Sequence, residues 1–141
     1  STYHYHVYTG KDPFLRHYAT RLYYEPDYDL MNLAAEQLLQ YTDFTSFSKL
    51  HSDAKTNICH VEYARWVQVA PNHWRFEIKA DRFLRNMVRA IVGTLLKVGR
   101  GRLTLIDFSK VIESKSRNSA GESVPAKGLS LVAVDYPTNK V

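Results

Sequence analysis

The chain has 141 residues, of which 45% are apolar, 23% charged and 13% aromatic, with a formal net charge of +5 and a single cysteine, Cys59. That length bounds one domain or part of one, and the composition excludes a disordered chain. No apolar run approaches the roughly 18 residues of a membrane span, and one cysteine excludes both a disulfide framework and a zinc site built on several thiolates, so a reducing, cytoplasmic setting is expected.

The chain opens in alternation: Tyr3, Tyr5 and Val7 fall on one side of an expected strand, and His4, His6 and Tyr8 on the other. A strand without lead-in sets the expectation that this is a piece of something longer. Gly10-Lys11-Asp12-Pro13 signals a turn, and residues 19–24 a short extended piece. Asp27 or Asp29 caps a helix to about Tyr41, with Met31, Ala34, Ala35, Leu38 and Leu39 on one face. Phe44 and Phe47 give the following loop two buried aromatics. Residues 60–69 and 74–80, joined by Pro71-Asn72-His73, read as an antiparallel hairpin. Its second strand puts Trp74, Phe76, Ile78 and Ala80 on one face and Arg75, Glu77 and Lys79 on the other. The strongest helical periodicity runs from Phe83 to Val98 and ends at Gly99 and Gly101. Thr104 caps a shorter helix to about Ser114, apolar at Leu105, Ile106, Phe108, Val111 and Ile112. A polar loop over 115–128 leads to a last strand, Leu129 to Tyr136, ended by Pro137. This order predicts an α+β fold: a largely antiparallel sheet with helices packed on one face.

The charge is gathered in one region. Between Arg82 and Lys127 lie ten Lys and Arg against three acids, a net +7, while the rest of the chain carries −2. Such asymmetry points to a polyanion, and to nucleic acid before membrane; a solvated basic surface is the plainer alternative. On the expected helix, Phe83, Leu84, Met87, Val88, Ile91, Leu95 and Val98 form a broad apolar face. Arg82, Arg85 and Arg89 gather opposite, but the next turns of that side hold Val92 and Leu96. The helix is therefore basic at its start and buried nearly all round at its end. Arg89 sits at the transition, where it either takes a carboxylate or phosphate partner or snorkels to water.

Other constellations are weaker. His4 and His6 share a face, but with no acid or thiol beside them they make no metal site. Cys59 and His60 are adjacent on a strand and point to opposite faces, which argues against a Cys/His nucleophile. Gly99-Arg100-Gly101-Arg102 follows a helix, where a phosphate loop precedes one, so it reads as a basic cap. Tyr3, Tyr5, Tyr8, Tyr23 and Tyr24 are either stacking surfaces for bases or core-edge residues.

Three blocks carry a resemblance to a known family. The run Phe83-Leu84-Arg85-Asn86-Met87-Val88-Arg89-Ala90-Ile91-Val92-Gly93, with Leu96-Lys97-Val98-Gly99, resembles the F-x-x-x-M-V-R-x-I-V-G…V-G signature of the tRNA pseudouridine synthase A family. Asp43-Phe44-Thr45-Ser46-Phe47 and the ending Ala126 to Pro137 resemble two further blocks in the same order, and Tyr3-His4-Tyr5 is similar to the family's R-x-Y-x-Y strand. The resemblance implies isomerisation of uridine to pseudouridine in the anticodon arm of tRNA, at positions 38 to 40, by a homodimer without cofactor or metal. A carboxylate attacks the nucleoside, and the base detaches from N1, rotates and rejoins through C5, out of its stack. Matched residue by residue, Tyr3 corresponds to the tyrosine that packs on the base, Arg89 to the arginine that pairs with the catalytic aspartate, and Leu129 to the apolar residue of the uracil pocket. Arg82, Arg85, Lys97, Arg100 and Arg102 are the candidate tRNA contacts.

Departures from the family pattern are as specific as the matches. The R-T-D-A-G-x-H motif of the catalytic aspartate does not occur in this sequence, and no aspartate present takes its role. Ser1 stands where the opening strand has arginine, and Cys59 where some members carry arginine. The expectation is the C-terminal catalytic and RNA-binding part of a longer synthase, one domain, inactive alone. The competing reading is an RNA-binding or dimerisation module with no chemistry of its own.

Overall fold

The structure, a computed structural model, describes residues 1–49 and 56–135. Its elements run β1 (Thr2–Thr9), β2 (Thr20–Leu22), α1 (Tyr28–Gln37), β3 (Val61–Ala70), β4 (His73–Ala80), α2 (Met87–Gly99), α3 (Leu105–Ser114) and β5 (Leu129–Ala133), with short 3-10 turns between them. The last strand stops at Ala133 and does not continue through Val134 and Asp135 as expected; Tyr136 and Pro137 lie outside the described residues.

The sheet is organised around β1. Along one edge β4 pairs with it antiparallel, from Thr2↔Lys79 to Tyr8↔His73. The other edge is shared: β5 takes Thr2 to Tyr5 antiparallel, and β2 takes Val7 to Thr9 in parallel. β3 closes the far side as the hairpin partner of β4. Pro71 and Asn72 alone make that turn, since Pro pre-sets the φ of a turn and Asn accepts its strained positions. The pairing is largely antiparallel and, with three helices, the fold is α+β.

One sheet face carries the core. Tyr5, Val7, Ala64, Trp66, Phe76 and Ile78 pack with Met31, Leu38, Met87, Ile91, Leu95, Phe108 and Ile112 from the helices. Trp74 joins from the same face by stacking on Tyr28 at 3.8 Å. Phe44 and Phe47 are fully buried, as their loop predicted. Asp27 is the cap of α1, its carboxylate accepting the Leu30 N–H at 3.0 Å, and Thr104 caps α3 through the Asp107 N–H at 3.0 Å.

Four expectations are corrected. First, α1 ends at Gln37 rather than Tyr41, and Leu38–Gln40 tighten into a 3-10 turn; the smaller number of residues per turn rotates Leu39 out to solvent. Second, Ile106 is exposed, because it stands about 160° around the helix from Phe108. Third, the last strand ends at Ala133 rather than Tyr136, because its partner β1 starts at Thr2, opposite Ala133. Fourth, the long helix begins at Met87, not Phe83. Asn86 takes φ 69°, a left-handed conformation that no right-handed helix passes through and that Asn tolerates better than most residues. Arg82 and Arg85 are thus outside the helix that carries Arg89, and the three form no stripe.

At its other end α2 closes in a Schellman arrangement. Gly101, at φ 74°, donates to the Val98 carbonyl at 3.0 Å, and Arg102 donates to that of Lys97 at 2.9 Å. The all-round burial of α2 has a structural cause on each side. Sheet and neighbouring helices cover one side, and residues 120–125, from the loop expected to be merely polar, lie across the other. Contact there is so close that a Cβ on Gly93 would fall 1.8 Å from the carbonyl oxygen of Glu122. Among the described residues, no helix is long and apolar enough to cross a membrane.

Candidate active site

Tyr3, Arg89 and Leu129 share one recess, with an empty volume of about 670 Å³, whose remaining wall is the turn of residues 83–86 and the start of α2. β1 supplies Tyr3 between Ile78 of β4 and Leu131 of β5. Its ring meets Phe83 edge-on, with centroids 5.0 Å apart, which fixes the ring from the side. Leu129 opens β5 opposite Tyr5. The left-handed Asn86 turns the chain so that exposed Arg85 and half-buried Arg89 border the same recess.

Arg89 is held from behind. Its Nε donates to the Val124 carbonyl at 2.8 Å, while the Val124 N–H donates to the Arg89 carbonyl at 3.2 Å. Among the described residues no carboxylate stands within ion-pair distance of it. A guanidinium cannot shed its proton, and its Nη groups present the fork that matches a carboxylate or phosphate. Behind the recess, the Tyr5 hydroxyl donates to the Pro125 carbonyl at 2.6 Å and shares a 2.7 Å hydrogen bond with Thr20. Burial pushes that hydroxyl's pKa up, and the Thr20 bond and the charge of Arg89 draw it part of the way back. Among the described residues the recess is lined by no acid, so it holds aromatic rings, an apolar wall and two cations, without a carboxylate.

The other basic candidates are distributed. Lys97, Arg100 and Arg102 line a second depression with Tyr24, Gly93, Glu122 and Pro125, on the far side of the 120–125 segment. There the Arg100 guanidinium sits 4.3 Å above the Tyr24 ring. Arg82 is elsewhere: its Nη1 donates to the carbonyls of Thr56 and Ile58 at 2.9 and 2.8 Å, bracing that segment. Cys59 is fully buried, and burial raises its thiol above the usual range. Among the described residues, no group of three or more His, Cys, Asp or Glu is placed to hold a metal.

Sequence reasoning missed three participants. Phe83 was counted on a helical face and instead props Tyr3. Asn86 carried a signal, since Asn is enriched at left-handed positions. Val124 carried none: it acts through its backbone carbonyl, which every residue possesses.

Among the described residues, a tyrosine, a leucine and an arginine without an acid share one recess, with more basic residues beyond its rim. A family model described as tRNA pseudouridine synthase matches residues 34–137, and the chain belongs to the tRNA pseudouridine synthase family. It is 58% identical over 138 residues to the tRNA pseudouridine synthase A of Bacteroides thetaiotaomicron, covering 96% of this chain and 51% of that protein. Over 139 residues it is 52% identical to the enzyme of that name from Porphyromonas gingivalis, with 98% and 55% covered. With the Clostridium acetobutylicum protein the figures are 43% over 121 residues, 86% and 49%. The chain therefore spans about half the length of these curated relatives.

Proposed function

We propose that this chain forms one side of the active-site cleft of a tRNA pseudouridine synthase, which isomerises uridine to pseudouridine in the tRNA anticodon arm. The observation that carries the reading is Arg89: clamped by Val124, open at its Nη end and beside Tyr3, without an acid among the described residues. A carboxylate from the rest of the longer protein completes the pair. It attacks the nucleoside, the bond from the ribose to N1 breaks, the base turns and bonds to the ribose through C5, and the bond to the carboxylate breaks, which frees it unchanged. The C5 proton then leaves and N1 takes one up, so the product is an isomer of the substrate and needs no cofactor or metal. Tyr3 packs on the base and serves in proton movement, Leu129 walls the uracil, and Arg89 keeps the attacking carboxylate ionised and aimed.

The chain is, on this reading, one domain: the C-terminal catalytic and RNA-binding part of a cytoplasmic homodimer. Arg85 at the recess, and Lys97, Arg100 and Arg102 beyond the 120–125 segment, take phosphates of the same tRNA. Arg82, whose Nη1 serves two carbonyls, contributes to the same tRNA through its Nε and Nη2. The test is pseudouridine mapping on tRNA incubated with the full-length protein and, separately, with this chain. Modification of anticodon-arm uridines by the whole protein and none by the chain is expected. Salt-sensitive tRNA binding by the whole protein without pseudouridine would establish the binding-module reading instead.

A further inference from the structure

We infer that residues 117–125 are a positioning strap for Arg89, and that Arg117, which touches none of the recess, is its anchor. This rests on the catalytic reading of Arg89 given above.

The strap's middle and far end are tied to the rest of the chain, and Arg117 anchors the strap on itself. Arg117 donates from Nη1 to the Gly121 carbonyl at 2.9 Å and from Nη2 to the Ser123 hydroxyl at 3.1 Å. Asn86, the left-handed residue that shapes the recess, donates its Nδ2 to the same hydroxyl. The Gly121 N–H donates to Thr94 at 2.9 Å, and the Thr94 hydroxyl donates to the Ala90 carbonyl at 2.8 Å, one turn back on α2. At the far end Tyr5 holds the Pro125 carbonyl. Between these ties sits Val124, joined to Arg89 by reciprocal hydrogen bonds.

The geometry leaves the strap little freedom. Gly93 admits it only because it has no Cβ, and Gly121 faces the Gly93 backbone, where a Cβ would meet the oxygen at 3.0 Å. A backbone carbonyl is a better orienting group than a side chain here. It has no rotamers of its own, so it aims Nε only as well as its strap is fixed. Fixing Nε sets the plane of the guanidinium and hence the direction of the Nη fork. Arg117 and Ser123 thus act on the reaction through Val124 and Arg89, and small displacements of a reacting group are costly in rate.

The experiment is a double-mutant cycle in the full-length protein. Arg117→Ala is expected to lower the single-turnover rate of pseudouridine formation about tenfold or more while the tRNA dissociation constant stays within about twofold. In an Arg89→Lys background, which lacks the Nε donor, adding Arg117→Ala is expected to change the rate by less than about twofold. Ser123→Ala, a milder change to the same hub, should behave alike and serves if Arg117→Ala does not fold. An NMR readout independent of turnover is exchange of the Arg89 Nε proton with water, expected to speed up in both variants. Equal losses in the two backgrounds, a fall in tRNA affinity that matches the fall in rate, or unchanged Nε exchange would overturn the strap. Absence of pseudouridine with the unmutated protein would instead overturn the catalytic reading, and the Nε exchange would still test the strap.

Discussion

Adjacent residues of β1 lead to two charged sites on opposite sides of the sheet, and the two are complements of one another. Beside Tyr3 is an arginine with no acid among the described residues. Beside His4 is Glu77, an acid with two arginines: Arg75 donates to it at 2.7 Å and Arg65 at 2.9 Å, with His4 at 3.6 Å. Burial pushes the Glu77 carboxyl up, but the two guanidinium hydrogen bonds together outweigh it and hold the carboxyl below its usual range. The Glu77 cluster is complete within the chain and behaves as structure. Arg89 is held from behind by Val124, yet no carboxylate among the described residues meets its charged end, and on the proposed reading its counterpart arrives from outside.

That contrast breaks or holds on four substitutions, of decreasing effect. Arg89→Ala in the full-length protein should lower turnover on the order of 10²- to 10³-fold, as loss of a preorganised charge does. The tRNA affinity should stay within about twofold, by a filter-binding or fluorescence titration. Glu77→Ala should leave chemistry intact but cost about 2 kcal/mol of stability by chemical denaturation. It strands two arginines, and the figure is kept below that of a fully buried pair because Arg65 is more than half exposed.

Next is acid sensitivity. Burial, followed by the neighbouring His73, lowers His6 from 6.5 to about 4, and His4 and His73 are lowered as well. The unfolded chain therefore binds more protons than the folded one between about pH 6.5 and 4, so stability falls as the pH drops through that window. His6→Gln should flatten this fall by an amount on the order of 1 kcal/mol; an unchanged slope would mean that the His6–His73 contact of 2.9 Å is not its source. The smallest effect is Lys97→Ala, which should weaken tRNA binding uniformly and reduce the salt slope by about one phosphate contact.

Much of the architecture was legible because periodicity reports burial. The alternation in Tyr3–Tyr8 and Trp74–Ala80, the caps at Asp27 and Thr104, and the hairpin turn all carry local signals. What was illegible is non-local or carried by backbone. The parallel pairing of β2 with β1 leaves no trace in three residues, Thr20–Leu22. The start of α2 was misread because Phe83 and Leu84 continue the helical period, and only the φ of Asn86 shows that they belong to a turn. The apolar residues on the far side of α2 announced a cover, but nothing in Glu122, Ser123 or Val124 identified it. Of the recess, the residues themselves suggested only that Arg89 takes an anionic partner or reaches water; the grouping with Tyr3 and Leu129 came from resemblance.

The most direct test of the account is the structure of the full-length protein at the Nη end of Arg89. The account predicts an aspartate carboxylate from the other half of the chain within about 4 Å of those nitrogens, facing Tyr3 across the recess. A guanidinium facing open solvent there, or one met only by phosphate in the tRNA complex, would contradict it.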